Sequence, residues 1–316
     1  MLKRVTDDPG SPPTAASEGA PGRSAWWARL VALVPLSLLY GFAGLIGWLT
    51  GRVFPHRVHV VRENLTRAFP DYDEAALRRV IHAYYSNFAQ VLVEIVKAVR
   101  MKPEEFRRRV RINNLAAVRE LLGQGQPVLL VAAHQCNWEW LLLGLAAELE
   151  YPVDAAYKPL VNSWAEREMK KLRTRFGSRL VPAKDLLADI IKRRGVARVI
   201  AMVADQEPTT SEHKYWTRFL NRDSAFYMGP EEIARVTHFP VFFLGLRRVR
   251  RGFYEVSLTA LTTADERPPS GTVTERYARL VEAQIHASPP DWPWSHKRWK
   301  LKKSLYSGRA RAASTG

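Results

Sequence analysis

The chain has a single cysteine, Cys136, in 316 residues. No intrachain disulfide framework is available to it, and the usage fits a reducing compartment. It has no nucleic-acid motif and no glycine-rich phosphate loop, so nucleic acid is not an expected partner. It has no H-E-x-x-H pattern, and no metal centre is expected. It has no internal repeats. It lacks any charged residue between Leu30 and Gly51.

That uncharged run is 22 residues long, enough to cross a bilayer. Trp26 and Trp27 precede it, as in an interface belt. A membrane anchor helix over 25–52 is therefore expected, preferred to a buried core helix or an interfacial helix. The run is too long for a cleaved signal peptide, and no small-residue cleavage site follows a short apolar region. Residues 1–24 are rich in Pro, Gly, Ser, Ala and Thr, and are expected to be disordered, as is the tail 306–316. One domain is expected over 53–305.

Acidic residues are in deficit: 48 Lys and Arg stand against 31 Asp and Glu, a net charge of +17. Almost all of the excess lies after residue 51. By charge alone such a surface suits nucleic acid, an anionic membrane leaflet, a phosphorylated substrate or an acidic carrier protein.

Periodicity predicts helices over 58–69 and 74–100, then a basic connecting stretch over 101–114 and a short helix over 115–122. An alternation of strands and helices follows: strands at 128–133, 153–157, 179–181 and 197–204, helices at 138–150, 163–176 and 184–194. That pattern predicts an α/β fold with a mainly parallel central sheet flanked by helices. Residues 207–227 carry no clear pattern. A helix over 229–237, a hairpin of 241–249 with 253–260, and a helix over 273–287 close the domain.

The stretch Val128 to Glu139 reads V-L-L-V-A-A-H-Q-C-N-W-E. It puts His134 at the carboxyl end of a strand, where ligands bind in open α/β sheets. Glu139 falls in the first turn of the next helix. An imidazole with a carboxylate five residues on reads as a general base and its orienting partner. Asp205 and Gln206 end another strand, and parallel strands would bring both tips to one cleft. Each residue also has a structural reading: a hydrogen-bonded histidine, a carboxylate matching the helix dipole at Glu139, an N-cap at Asp205. Cys136 as a covalent nucleophile is disfavoured, because side chains two residues from His134 rarely converge with it.

Five segments in order carry a resemblance. They are E-N-L-T-R-A-F-P at 63–70, H-Q-C-N-W-E at 134–139, D-Q at 205–206, M-G-P-E-E-I-A at 228–234 and D-W-P-W-S-H-K-R-W-K at 291–300. Together they resemble the bacterial lipid A biosynthesis acyltransferases, the lauroyl/myristoyl transferase family. Two positions depart from the family pattern: Cys136 stands where the family usually has Gly, and Phe219-Leu220-Asn221 replaces its F-F-G.

The resemblance implies a glycerolipid-acyltransferase-like fold and direct acyl transfer. A fatty acyl group would pass from a thioester, on acyl carrier protein or coenzyme A, to a hydroxyl of a phosphorylated glycolipid, a lipid A precursor. It implies no cofactor beyond that co-substrate. It implies the bacterial inner membrane, with a single N-terminal span and a cytoplasmic catalytic domain. His134 has the intrinsic pKa for deprotonating a hydroxyl, and Glu139 is expected to hold its other ring nitrogen. The thioester oxyanion needs donors, from backbone N–H groups near Asn137 or from an arginine. The family's basic residue in its middle helix matches Arg173 or Arg175. Asp205 would orient that arginine or a substrate hydroxyl. Gln206 belongs to the same substrate-binding group.

Two other readings stay open here. One is an acyltransferase for another glycolipid, such as a phosphatidylinositol mannoside, using acyl-CoA. The other is a basic, membrane-tethered binding protein without catalysis. Acyl length depends on tunnel depth and is not written in the motifs.

Overall fold

The computed structural model describes residues 26–52, 57–209 and 213–303. The segments 1–24 and 306–316 lie outside the described residues.

The uncharged N-terminal run forms two helices, α1 (Trp26–Val31) and α2 (Leu36–Arg52). This corrects the expected single membrane helix over 25–52. Pro35 sits at the break: it has no N–H to donate, and it drives the preceding residue out of helical geometry. The carbonyls freed there are satisfied by Lys97, whose ammonium donates to Ala32 O at 2.8 Å and Val34 O at 2.9 Å. At about 1.5 Å per residue, the 17 residues of α2 fall short of a hydrocarbon core about 30 Å thick. No described helix is long and apolar enough to cross a membrane. α2 packs instead along the domain. A Cβ at Gly47 would lie 3.0 Å from the Ser86 backbone, so glycine permits that close approach.

α3 (Val58–Ala68) and the long α4 (Glu74–Ala98) follow. α4 starts cleanly because Asp73 accepts the N–H of Ala76. The basic stretch expected to be a connector holds α5 (Pro103–Arg109) and β1 (Val110–Ile112). α5 has Pro103 at its first turn, Glu104 and Glu105 beside it, and three arginines at its end. That order matches the helix dipole, a signal the reading of 101–114 as a connector passed over. α6 (Ala116–Gly123) leads into β2 (Val128–Ala132), α7 (Trp138–Glu148), β3 (Val153–Tyr157) and α8 (Ser163–Arg173). Then come β4 (Arg179–Pro182), α9 (Leu186–Lys192) and β5 (Val199–Val203). The unassigned segment contains a hairpin, β6 (Lys214–Phe219) and β7 (Arg222–Tyr227). α10 (Gly229–Thr237), β8 (Val241–Arg250), β9 (Phe253–Thr262) and α11 (Thr272–Ala287) follow.

Seven strands form one sheet in the order β1-β9-β8-β2-β5-β3-β4. Every pairing is parallel except the β8–β9 hairpin. The expected α/β architecture with a mainly parallel sheet is thus observed. β2 is central and buried at every residue. Its side chains alternate by the strand period of two: Leu129 and Val131 join the core on one face, while Val128, Leu130 and Ala132 join the core on the other. Both faces are covered by helices, as a parallel sheet requires. This centring of β2 carries its carboxyl tip, and the residues after it, into the middle of the molecule.

Candidate active site

β2 and β5 run parallel with Ala132 opposite Val203, so their carboxyl tips lie side by side. His134 follows the first and Asp205 the second. The ladder is extended by Ala204 N–H donating to Ala132 O at 3.3 Å, and the Tyr277 hydroxyl donates to the same carbonyl at 2.8 Å. At this junction His134 Nδ1 lies 2.6 Å from Asp205 Oδ1, and the His134 backbone N–H donates to the same oxygen at 3.1 Å. The carboxylate therefore fixes both the ring and the backbone of His134. Nε2, the other ring nitrogen, lies 3.5 Å from the Gln206 side-chain amide. The edge of His134 meets Trp138 with ring centres 5.2 Å apart.

Asp205 is 1 % exposed. Burial alone would raise its pKa, but the attraction of His134 and hydrogen bonds from His134 and Trp292 outweigh it. The carboxyl stays below its ordinary value and is ionised at neutral pH. A carboxylate on Nδ1–H leaves the lone pair on Nε2, the arrangement needed to take a proton from a substrate hydroxyl.

The expected partner of His134 is therefore corrected: it is Asp205, not Glu139. Glu139 sits in the first turn of α7 and turns toward α8. Arg173 grips it with two parallel bonds, Nε to Oε2 at 2.8 Å and Nη2 to Oε1 at 2.6 Å. The Trp138 indole N–H adds a third donor at 3.1 Å. Desolvation opposes the charge on Arg173, but the bonds to Glu139 more than compensate and raise its pKa. Such bidentate pairs are the strong class of charge-assisted hydrogen bond.

Arg175, the other candidate, is used elsewhere. Its guanidinium donates to the carbonyls of Ala98 and Met101, which makes it a tie between α8's end and α4. Asn137 is also drawn away from the expected role. It caps α7, accepting the Trp140 N–H at 3.0 Å, and donates to buried Glu94 Oε2 at 2.8 Å. Glu94 collects further donors from Tyr40 and Tyr254. This buried knot ties α2, α4, α7 and β9 together.

His134, Gln206, Glu139 and Arg173 line one cavity of about 1440 Å³. The rest of its wall is mostly apolar, with Leu130, Leu141, Leu145, Met169, Leu186 and Ile233 among the contributors. Its size exceeds the roughly 300–1,000 Å³ usual for small-molecule sites and suits a long apolar substrate. Among the described residues, no group of three or more His, Cys, Asp or Glu is placed to hold a metal ion.

Sequence reasoning missed Trp292 and Arg298. Trp292 donates to Asp205 Oδ2 and Arg298 to the Asp205 carbonyl, each at 2.8 Å. Both come from the Trp-rich terminal segment, whose aromatics also suit a core or a membrane belt. The resemblance segment at 291–300 contains both but assigned neither a role; that a buried carboxylate needs donors is the physical signal pointing to them.

No curated protein matches the sequence significantly. A family model described as bacterial lipid A biosynthesis acyltransferase does match it, over residues 24–301. The match spans nearly the whole chain, so the chain belongs to the bacterial lipid A biosynthesis acyltransferase family.

Proposed function

We propose that the protein transfers a fatty acyl chain from an acyl thioester to a hydroxyl of a phosphorylated glycolipid, a lipid A precursor, with His134 as general base. The observation that carries this reading is the His134–Asp205 pair at the wall of a large apolar cavity. The donor is acyl carrier protein or coenzyme A, both of them anionic partners suited to a net charge of +17.

In this mechanism the apolar part of the cavity takes the acyl chain. The acceptor hydroxyl approaches His134, and Nε2 takes its proton as the oxygen attacks the thioester carbonyl carbon. Asp205 stabilises the imidazolium that forms. The carbonyl oxygen becomes an oxyanion, met by the Gln206 amide and by Arg173 on the same cavity wall. As the C–S bond breaks, the imidazolium returns its proton to the leaving sulfur. The products are an ester and a free thiol. Glu139 holds the arginine fork in place and keeps its charge paired until substrate arrives.

The surface of α1 and α2 supports contact with a bilayer. Trp26, Leu30, Leu33, Leu38, Phe42 and Leu45 are all exposed, and Trp27 stacks on Trp164 of α8 at 6.0 Å between ring centres. Cavity-lining Leu160 lies just before that helix. We place this face on the cytoplasmic leaflet of the inner membrane, lying on it rather than crossing it.

Purified protein incubated with lauroyl-acyl carrier protein and a lipid A precursor tests the reading. Mass spectrometry should show the precursor gaining one acyl chain, and His134→Ala should reduce that rate by roughly 10²–10⁴. Undiminished transfer by the alanine variant would exclude His134 as the base.

A further inference from the structure

Asp205 has two carboxylate oxygens, and only Oδ1 faces His134. Oδ2 points into the interior and accepts the indole N–H of Trp292 at 2.8 Å. Trp292 is 2 % exposed. Its ring is wedged edge-on among Phe219, Trp294 and Trp299, with centres 4.8–6.3 Å away. The N–H is therefore shielded from solvent, and the ring is held by aromatic neighbours. Arg298, from the same terminal segment, fixes the Asp205 backbone through its carbonyl and also donates to Ala225 O at 3.0 Å. One short stretch of chain after α11 thus holds Asp205 from behind, through side chain and main chain together.

We propose that Trp292 is a positioning residue for acyl transfer, its indole N–H keeping Asp205 ionised and turned so that Oδ1 holds His134 Nδ1–H and Nε2 stays free. This rests on the reading of His134 as the base. The physical reason lies in charge sharing. A carboxylate with one oxygen already bonded to a donor is a weaker base than one with that oxygen bare. It accepts from the imidazole without drawing the proton across, and it does not rotate away. With Oδ2 bare and buried, the negative charge would concentrate on Oδ1 and bind imidazolium more tightly.

On the cavity side, His134 shares its wall with the Glu139–Arg173 ion pair, whose charges offset each other. Arg298 is pulled down to about 10 by burial, so it remains cationic at neutral pH and contributes a constant field. His296 is pushed below its ordinary value by burial. Burial holds the Tyr277 phenol well above its ordinary value, and it stays neutral. Glu207, next along from Gln206, accepts from the backbone N–H groups of Lys300 and Leu301. None of these partners is altered by removing the indole N–H.

The test uses Trp292→Phe in the full chain, with replacement of Trp292 by benzothienylalanine as a second variant that keeps the bicyclic shape and lacks only the N–H. The His134 ring is followed by long-range proton–nitrogen NMR across pH, and acyl transfer is followed alongside. Wild type should show neutral His134 carrying its proton on Nδ1. Both variants should protonate His134 at a pH roughly 0.5–1 unit above wild type. The acid limb of kcat/KM should move up with it, while KM for the acyl donor holds. A folded variant with the wild-type midpoint and limb overturns the proposal, even if its Tm falls, because lost packing alone moves only Tm. If the phenylalanine variant does not fold, the benzothienylalanine protein decides. The NMR midpoint is independent of turnover, so full activity in His134→Ala would sink the reading of the base without touching this measurement.

Discussion

Cys136 holds its backbone at φ 53°, in the left-handed region where a side chain is strained. The resemblance gives glycine as the usual residue at this point, and the geometry explains why. The thiol is buried, which pushes its pKa well up, and it donates to Leu246 O. A thiol held in that state is not a nucleophile. Cys136→Ala should therefore leave acyl transfer near wild type; a loss as deep as that of His134→Ala would revive an acyl-enzyme mechanism. Asp205 makes a second prediction. Its folded pKa lies below the unfolded value of about 3.9. The stability this contributes is fully present above that value and is lost as pH falls through the folded one. The stability gap between wild type and Asp205→Asn, measured by urea unfolding, should narrow below about pH 4, as the carboxyl takes up its proton. A gap unchanged through acid would contradict the assignment. Both residues of the pair were legible as polar strand tips. Which carboxylate meets His134 was not, because spacing along the chain says only that Glu139 is near in sequence. The parallel β2–β5 pairing puts Asp205 closer in space, although it is 71 residues away.

Two elements escaped or broke the sequence pattern, and each has a local cause. The β6–β7 hairpin turns on Leu220 and Asn221, with φ of 49° and 62°. Two consecutive positive φ values mark the tight hairpin turn, normally signalled by Asn-Gly. Leu220 hides that signal, and its conformation is held by tertiary contacts: it is buried, and its N–H donates to Glu282. Asn221 tolerates the region intrinsically and bonds Ala68 O at 3.1 Å. Asn221→Val should cost about 1–2 kcal/mol or more in chemical denaturation, whereas Asn221→Gly should cost much less. Equal losses would mean that the backbone strain is not what Asn221 relieves. The N-terminal run misled in the opposite way. Length and lack of charge suggested one span, but Pro35 divides it, and Lys97 in α4 seals the division. The proline was visible; the lysine that stabilises the break lies some sixty residues away and was not.

For the whole molecule, charge and apolar surface act together. α1 and α2 expose large apolar side chains on a protein of net charge +17, a combination suited to an anionic leaflet. A combined Leu30→Glu, Leu38→Glu and Phe42→Glu variant should bind anionic vesicles more than about tenfold more weakly while keeping its Tm, since these side chains face outward. Unchanged vesicle binding would place the membrane contact elsewhere. The α/β architecture was legible because β2, β3 and β5 are short apolar runs between helices. The two-sided core, the cavity and the backing of Asp205 by the terminal segment arise only when distant elements meet. The central claim is that His134 drives acylation of a lipid A precursor. It is tested most directly by lipid mass spectrometry of cells that lack this chain and of cells carrying only its His134→Ala form. The account predicts that a lipid A species loses one acyl chain in both, by the same mass. Lipid A unchanged in the deletion, or fully acylated in the His134→Ala cells, would contradict it.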